Sequence, residues 1–211
     1  MRSFGKLISF EGPEGSGKTT QLNLLKTFLE GRGYAVEATR EPGGGSSLSQ
    51  EIRRILLGNE HPDICEETEL FLLLAARVEH VRKLILPKLQ DGVIVLCDRF
   101  IESSIAYQGY GRGLPVKTIE MMNRFAIKGR YPDLTLVFDI DPALGLERAG
   151  SGSGPDRIES ETLEFHERVR KGFLELIQEG GRFYSIDAHE SVDKVEKRVR
   201  QCVLGALVHE N

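Results

Sequence analysis

Gly12-Pro13-Glu14-Gly15-Ser16-Gly17-Lys18-Thr19 has the spacing GxxxxGK[ST], and its residue types are those needed to wrap a polyphosphate. Glycines let successive backbone N–H groups converge on phosphate oxygens, and a helix beginning near Lys18 adds the positive potential of its N-terminus. Lys18 can reach the outer phosphates, Thr19 offers a hydroxyl to Mg²⁺, and Thr20 continues the run. A second element has matching chemistry. Val93-Ile94-Val95-Leu96-Cys97 is an apolar run that ends on Asp98, the form of a strand-end acid that partners magnesium. Strand-end acids are common, but beside the glycine-rich loop this one makes nucleoside triphosphate binding the expected chemistry.

Arginines recur beside the same strand ends: Arg40 after the second apolar run, Arg53 on the helix that follows, and Arg99 directly after Asp98. That placement favours a second phosphate site. A phosphate monoester has a second pKa of about 6 and is mostly dianionic at neutral pH, so as a nucleophile it needs no general base. It needs charge neutralisation, because two polyanions must approach in line, and arginines with Mg²⁺ supply it.

Short apolar or β-branched runs at Leu7–Phe10, Ala35–Thr39, Val93–Cys97, Leu134–Ile140 and Phe183–Ile186, separated by longer amphipathic stretches, must position these residues. The pattern predicts an α/β protein with a doubly wound, parallel five-stranded sheet flanked by helices, the P-loop NTPase fold. Ligands of such sheets bind beyond the carboxyl ends of the strands, which puts Glu11, Arg40, Asp98 and Asp141 in view. Gly150-Ser151-Gly152-Ser153-Gly154 has no side chains able to pack and reads as part of a short mobile lid, at about residues 148–159, in a single 1–211 domain. The segment from Ser191 to Val208 spaces Val192, Val195, Val199, Val203 and Leu207 as the core face of a helix. His166 and His189 fit no HExxH pattern and read as ordinary polar residues.

Composition removes several alternatives. A net charge of -4 argues against nucleic-acid binding, which usually needs a basic balance or stripe. Cys65, Cys97 and Cys202 form no CxxC pair and, with five histidines, no zinc spacing, so a reduced, cytoplasmic protein is expected. The first residues lead directly into a short apolar run rather than a signal-peptide core, and no stretch reaches the ~18 apolar residues of a membrane helix. The four asparagines begin no [NT]KxD motif, which weakens the case for a guanine-reading switch. Gly109-Tyr110-Gly111-Arg112-Gly113 lacks the GxGxxG spacing of a protein kinase.

With these segments in place, the chain resembles the bacterial thymidylate kinases. The resemblance is carried by Glu11–Thr20, Thr39-Arg40-Glu41-Pro42-Gly43-Gly44, Ala75-Ala76-Arg77, Asp98-Arg99, Ala106-Tyr107-Gln108-Gly109, Pro132–Leu136 and Asp156-Arg157-Ile158-Glu159. It implies transfer of the ATP γ-phosphoryl group to dTMP with Mg²⁺, in a homodimer to which the helix from Glu66 to Leu89 contributes. It also implies that Arg53 and Arg99 hold the acceptor phosphate, with Arg40 beside them, and that Glu14 accepts from the sugar 3′-hydroxyl. Arg77 would donate to thymine O4, Ser104 and Gln108 would contact the base, Tyr107 would exclude a ribose 2′-hydroxyl, and Pro42 would shape the pocket for the 5-methyl group. Asp98 would act near Mg²⁺ or the transferring group, and Arg148 would stack on adenine. The remaining alternatives are another nucleoside monophosphate or deoxynucleoside kinase, or a P-loop regulator that binds nucleotide without phosphorylating a small molecule.

Two positions depart from the family's pattern. Leu73 stands where an aromatic residue usually stacks on thymine, four residues before Arg77, and shares its helix face. Phe71 is rotated by about 200° onto the face of Leu74 and Val78, where core packing is expected. The lid carries only Arg148 and Arg157, of which Arg157 is the better candidate to reach the phosphates; its bland alternative is an ion pair with Asp156 or Glu159. For Arg77 the bland alternative is a solvated helix charge.

Overall fold

The protein was analysed as a computed structural model that describes residues 4–150 and 155–208. Five strands, β1 (Leu7–Glu11), β2 (Val36–Arg40), β3 (Ile94–Asp98), β4 (Leu134–Asp139) and β5 (Phe183–Asp187), form one all-parallel sheet in the order β2-β3-β1-β4-β5. Four of them run one residue further than the apolar runs, taking in Glu11, Arg40, Asp98 and Asp187. The ladder pairs Arg40 with Asp98, and Phe10 with Asp98; backbone pairing does not require an apolar side chain, so the polar strand ends stay in register. The chain leaves β1 on one side toward β3 and β2 and on the other toward β4 and β5. The crevice of the sheet therefore opens where β1 ends.

The period-2 alternation of the strands decides what each face meets. Ile8, Phe10, Leu96, Leu136, Phe138 and Ile186 pack on Leu22, Leu25 and Leu29 of α1 (Lys18–Glu30) and on Val195, Val199 and Val203 of α9 (Val192–Val208). The other face starts with helix α2 (Ser47–Leu57) and helix α3 (Glu66–His80), which runs through a π-helical turn at Val81–Ile85 into α4 (Leu86–Gln90). Leu7, Val95 and Cys97 meet Val81, Ile85 and Leu89 there. Helix α5 (Ile101–Ser104) likewise winds into a π-helical segment, Ile105–Gly111, ahead of α6 (Val116–Ala126). Short helix α7 (Pro142–Ala149) and α8 (Leu163–Gln178) complete the set, with Val169 and Phe173 of α8 packed against Val137 and Tyr107.

Two expectations change. Phe71 is 58% exposed rather than in the core: its rotation away from Leu73 is as the helix geometry requires, but only Leu74 of that face packs on the core cluster of Tyr107 and Val169, and Phe71 itself meets solvent. Val192, at the first turn of α9, is also exposed, ahead of the buried Val195. The stretch 151–154 of the expected lid lies outside the described residues, so only its flanks are considered below. No helix among the described residues is long and apolar enough to cross a membrane.

Candidate active site

The phosphate cradle sits between β1 and α1, and close backbone approach fixes its glycines. A Cβ on Gly12, at φ +136, would come within 2.3 Å of the Phe138 carbonyl oxygen, and one on Gly15 within 1.9 Å of the Gly145 oxygen. Helix α1 is capped by Gly17 at φ 82, with no side-chain cap and no acid in its first turn, whereas Ser46, Asp141 and Thr162 cap α2, α7 and α8. The N-terminal N–H groups of α1 are thus left for an anion. Lys18 Nζ donates to Pro13 O at 2.6 Å and Ser16 Oγ at 3.0 Å, and burial, with Arg99 nearby, pushes its ammonium down to about 8.

The Thr19 hydroxyl donates to the Asp98 carboxylate, so the two oxygen groups expected to hold Mg²⁺ touch at the end of β3. No group of three or more His, Cys, Asp or Glu that could hold a metal occurs among the described residues. A hydroxyl and one carboxylate suit Mg²⁺, which keeps water and substrate phosphate oxygens as its other ligands rather than a protein cage.

Arg99, held at φ 66, reaches back over the loop: its NH1 donates to Gly12 O at 2.9 Å and Ser103 Oγ at 3.3 Å, and its NH2 to Glu14 Oε1 at 2.8 Å. The Tyr107 hydroxyl lies 2.7 and 2.6 Å from the two Glu14 oxygens. Buried His166 of α8 approaches the same carboxylate at 3.7 Å. Burial alone would raise the Glu14 carboxyl, but Arg99, His166, Lys18 and Tyr107 together hold it down to about 2. A folded-state value below the ordinary 4.5 stabilises the fold above about pH 4.5, and the contribution is lost as pH falls toward 2. Glu14→Gln should therefore cost on the order of 3 kcal/mol at pH 7 and much less at pH 3. Urea unfolding of both proteins at the two pH values checks this; a deficit independent of pH would contradict it.

Arg77 is not a solvated charge. It is 2% exposed and donates from Nε to Glu41 Oε2 at 2.6 Å, from NH1 to Ser104 Oγ at 2.9 Å and to Asn123 Oδ1, and from NH2 to Phe100 O at 2.9 Å. Four of a guanidinium's five N–H donors are committed, which leaves one, on NH2, for a ligand. A relay stands behind it. Thr39 Oγ1 lies 2.7 Å from His80 Nε2, and His80 Nδ1 lies 2.9 Å from Glu41 Oε1. Burial opposes ionisation of Glu41, but Arg77 and then His80 hold its carboxyl below the ordinary range.

A cavity of about 330 Å³ joins these groups, lined among others by Glu14, Gly15, Lys18, Thr19, Arg40, Pro42, Arg53, Leu73, Arg77, Asp98, Arg99, Ser104, Tyr107, Gln108 and Arg157. Gly12, Pro13, Ser16, Gly17 and Thr20 of the cradle lie outside its wall, as does Arg148, whose NH1 donates to Ala188 O at 2.9 Å. Arg53 NH1 donates to Pro42 O at 2.9 Å. Burial and the neighbouring Arg40 lower its basicity, and Arg99 acts in the same direction. Cations that oppose one another in a cleft mark a place where an anion is missing.

Arg157 makes its ion pair with neither Asp156 nor Glu159. Its Nε donates to Leu56 O at 2.8 Å and its NH2 to Glu69 Oε2 at 2.6 Å, and its NH1 makes no hydrogen bond among the described residues. Sequence reading gave no role to Glu69, Glu41, His80, His166 or Asn123, all buried around the site.

A phosphate cradle at the mouth of a parallel sheet, facing a pocket of converging arginines, defines a P-loop phosphotransferase with a phosphorylated acceptor. The thymidylate kinase family model matches residues 10–199. Thymidylate kinase from Geobacillus sp. (strain WCH70) is 45% identical over 194 residues, which is 90% of this chain and 92% of that protein; thymidylate kinase from Desulfosudis oleivorans is 48% identical over 189 residues, 86% and 88%. The crystal structure of thymidylate kinase from Ehrlichia chaffeensis superposes with a TM-score of 0.77 at 34% identity, covering 95% of this chain and 99% of that one. The chain belongs to the thymidylate kinase family.

Proposed function

We propose that the protein phosphorylates dTMP to dTDP with ATP, its phosphotransferase chemistry carried by Lys18, Asp98, Arg99 and Arg157. The observation that supports this most is the single cavity wall that runs from the cradle at Lys18 and Thr19, past Arg53 and Arg99, to Arg77, Ser104 and Gln108. Donor phosphates, acceptor phosphate and base each meet groups of the right chemistry in that order. A phosphate oxygen of dTMP attacks the γ-phosphorus, the bond to the β,γ-bridging oxygen breaks, and ADP leaves with that electron pair. Lys18 and the α1 N-terminus hold the donor phosphates. Arg53, Arg40 and Arg99 offset the charge of the acceptor, and Arg157, which lines the same cavity, would turn its unengaged NH1 to the phosphates. Thr19 and Asp98 would hold Mg²⁺, the proposed divalent ion, which when bound would neutralise charge on the donor phosphates. Glu14, fixed by Tyr107 and Arg99, receives the 3′-hydroxyl, Leu73 and Pro42 give apolar contact to the base, and Arg148 lies toward the adenine. Closure of the lid flanked by Arg148 and Asp156 would exclude water from the γ-phosphate.

Chromatography of a mixture of the protein, ATP, Mg²⁺ and dTMP tests the proposal. It should show dTDP and ADP in equal amounts, and no dTDP when the metal is chelated. ADP without dTDP would reject the acceptor.

The reading extends to a single-domain, cytoplasmic homodimer. Helices α3 and α6 pack together, through Arg77 and Asn123, and both leave large apolar side chains in solvent: Phe71 on α3, with Met121 and the 81% exposed Phe125 on α6. Uncovered apolar area of this kind marks an interface, and a second copy is its occupant. Sedimentation should give a dimer for the wild type and a monomer for Phe125→Glu; a monomeric wild type would contradict it.

A further inference from the structure

Glu69, on α3, lines the cavity and is 1% exposed. One of its oxygens, Oε1, accepts from Gln108 Nε2 at 2.7 Å; the other, Oε2, accepts from Arg157 NH2 at 2.6 Å and Arg112 NH2 at 3.1 Å. A buried carboxylate between two guanidiniums is an acceptor only. Burial would raise its carboxyl, but Arg112, with the hydrogen bonds from Gln108 and Arg157, holds it below the ordinary range.

That fixes an ambiguity in Gln108. A side-chain amide has a donor end and an acceptor end, and neighbours decide which faces which way. Against a carboxylate only the NH₂ end is tolerated, since the reverse orientation sets the amide carbonyl against a negative charge. The carbonyl, Gln108 Oε1, is then the free end, and it is buried without a hydrogen-bond partner among the described residues, in a residue that lines the cavity. A buried acceptor without a partner calls for a donor.

We propose that Glu69 is a positioning residue that sets the amide orientation of Gln108 and thereby decides which base edge the cavity accepts. This rests on dTMP being the acceptor. The groups left to meet a base are then an acceptor, Gln108 Oε1, and a donor, the remaining N–H of Arg77. Thymine presents the complement, an N3–H donor beside the O4 acceptor. Cytosine presents the reverse on both atoms, an unprotonated N3 beside an amino group. Uracil has the same edge as thymine and lacks only the methyl group. Arg112 and Arg157 act at one remove, by keeping Glu69 charged.

The test is kcat/KM for dTMP, dCMP and dUMP with Mg-ATP in the wild type, Glu69→Gln, Gln108→Met and the double variant. Glutamine at 69 can donate or accept, so the Gln108 amide is free to turn, and the dTMP:dCMP ratio should fall about tenfold or more while dTMP:dUMP stays within about twofold. A purely structural loss would depress all three acceptors alike. Gln108→Met, which leaves the charge cluster intact, should lower the same ratio by a similar factor, and adding Glu69→Gln to it should lower it no further. An unchanged dTMP:dCMP ratio in folded Glu69→Gln, or a further fall in the double variant, overturns the proposal. If Glu69→Gln does not fold, an unchanged ratio in Gln108→Met overturns it as well. Wild-type turnover of dTMP tests the acceptor assignment separately, before any ratio is formed.

Discussion

Arg99→Ala should lower kcat/KM for dTMP by ~10³ without unfolding the protein. On the proposed reading Arg99 touches both halves of the reaction. Its NH1 is held by Gly12 O in the cradle and its NH2 by Glu14 in the sugar pocket, while Nε and the remaining N–H of NH2 stay available. Burial opposes its charge, but Tyr107, then Glu14, Asp98 and Glu11 push its already high pKa further up, so the charge is permanent. Its left-handed backbone, φ 66, turns the chain directly after Asp98 so that the acid and the guanidinium enter the cavity from adjacent residues. The alanine removes a fixed cation from between two polyanions and leaves Glu14 short of its strongest opposing charge. Arg99→Lys should recover little, because a point charge cannot make the forked contacts to Gly12, Ser103 and Glu14 at once. Initial rates with saturating Mg-ATP and varied dTMP decide it; a loss of less than about tenfold would remove Arg99 from the phosphate path.

Asp98→Asn should cut kcat by a comparable ~10³ and shift the divalent-metal dependence to higher concentration, with KM for ATP changed much less. Asp98 is the carboxylate to which Thr19 donates, and in its proposed role a neutral amide there would remove the anionic ligand of the ion while preserving shape. Packing should survive, since the strand pairing of Asp98 with Phe10 and Arg40 is made by the backbone. A Mg²⁺ titration of kcat separates the two effects. Normal turnover at low Mg²⁺ would show that the ion is held elsewhere.

The cradle and the strands around it were legible in the sequence because both are local: the loop's spacing and the period-2 runs depend on neighbours in the chain. Arg53 and Arg99 were reached from their place beside the strand ends, and Arg77, Ser104, Tyr107 and Gln108 through motif resemblance; one cavity wall brings them together. The charges that position them were not legible. Glu69 is 88 residues from Arg157 and Glu41 is 36 from Arg77, and nothing near a buried glutamate in sequence says which distant arginine it will meet. His166 looked ordinary for the same reason, its contact being with Glu14 on the opposite side of the chain's path. Phe71 shows the limit of periodicity. Helical rotation separated it correctly from Leu73, but the pattern does not say which face meets solvent, nor that a face turned to solvent is free to meet a second copy. The π-helical winding of Ile105–Gly111 was also out of reach, although Ser104 and Gln108 still reach the same cavity.

The proposed acceptor carries a phosphate, which Arg53 and Arg99 are placed to neutralise. The most direct measurement is the initial rate of ADP release with Mg-ATP and, in parallel, thymidine, dTMP, dUMP, dCMP and dAMP. Release should depend on acceptor and be fastest with dTMP, with thymidine close to the no-acceptor background. Faster turnover of thymidine than of dTMP would contradict the second phosphate site, and ADP release indifferent to every acceptor would contradict the kinase itself.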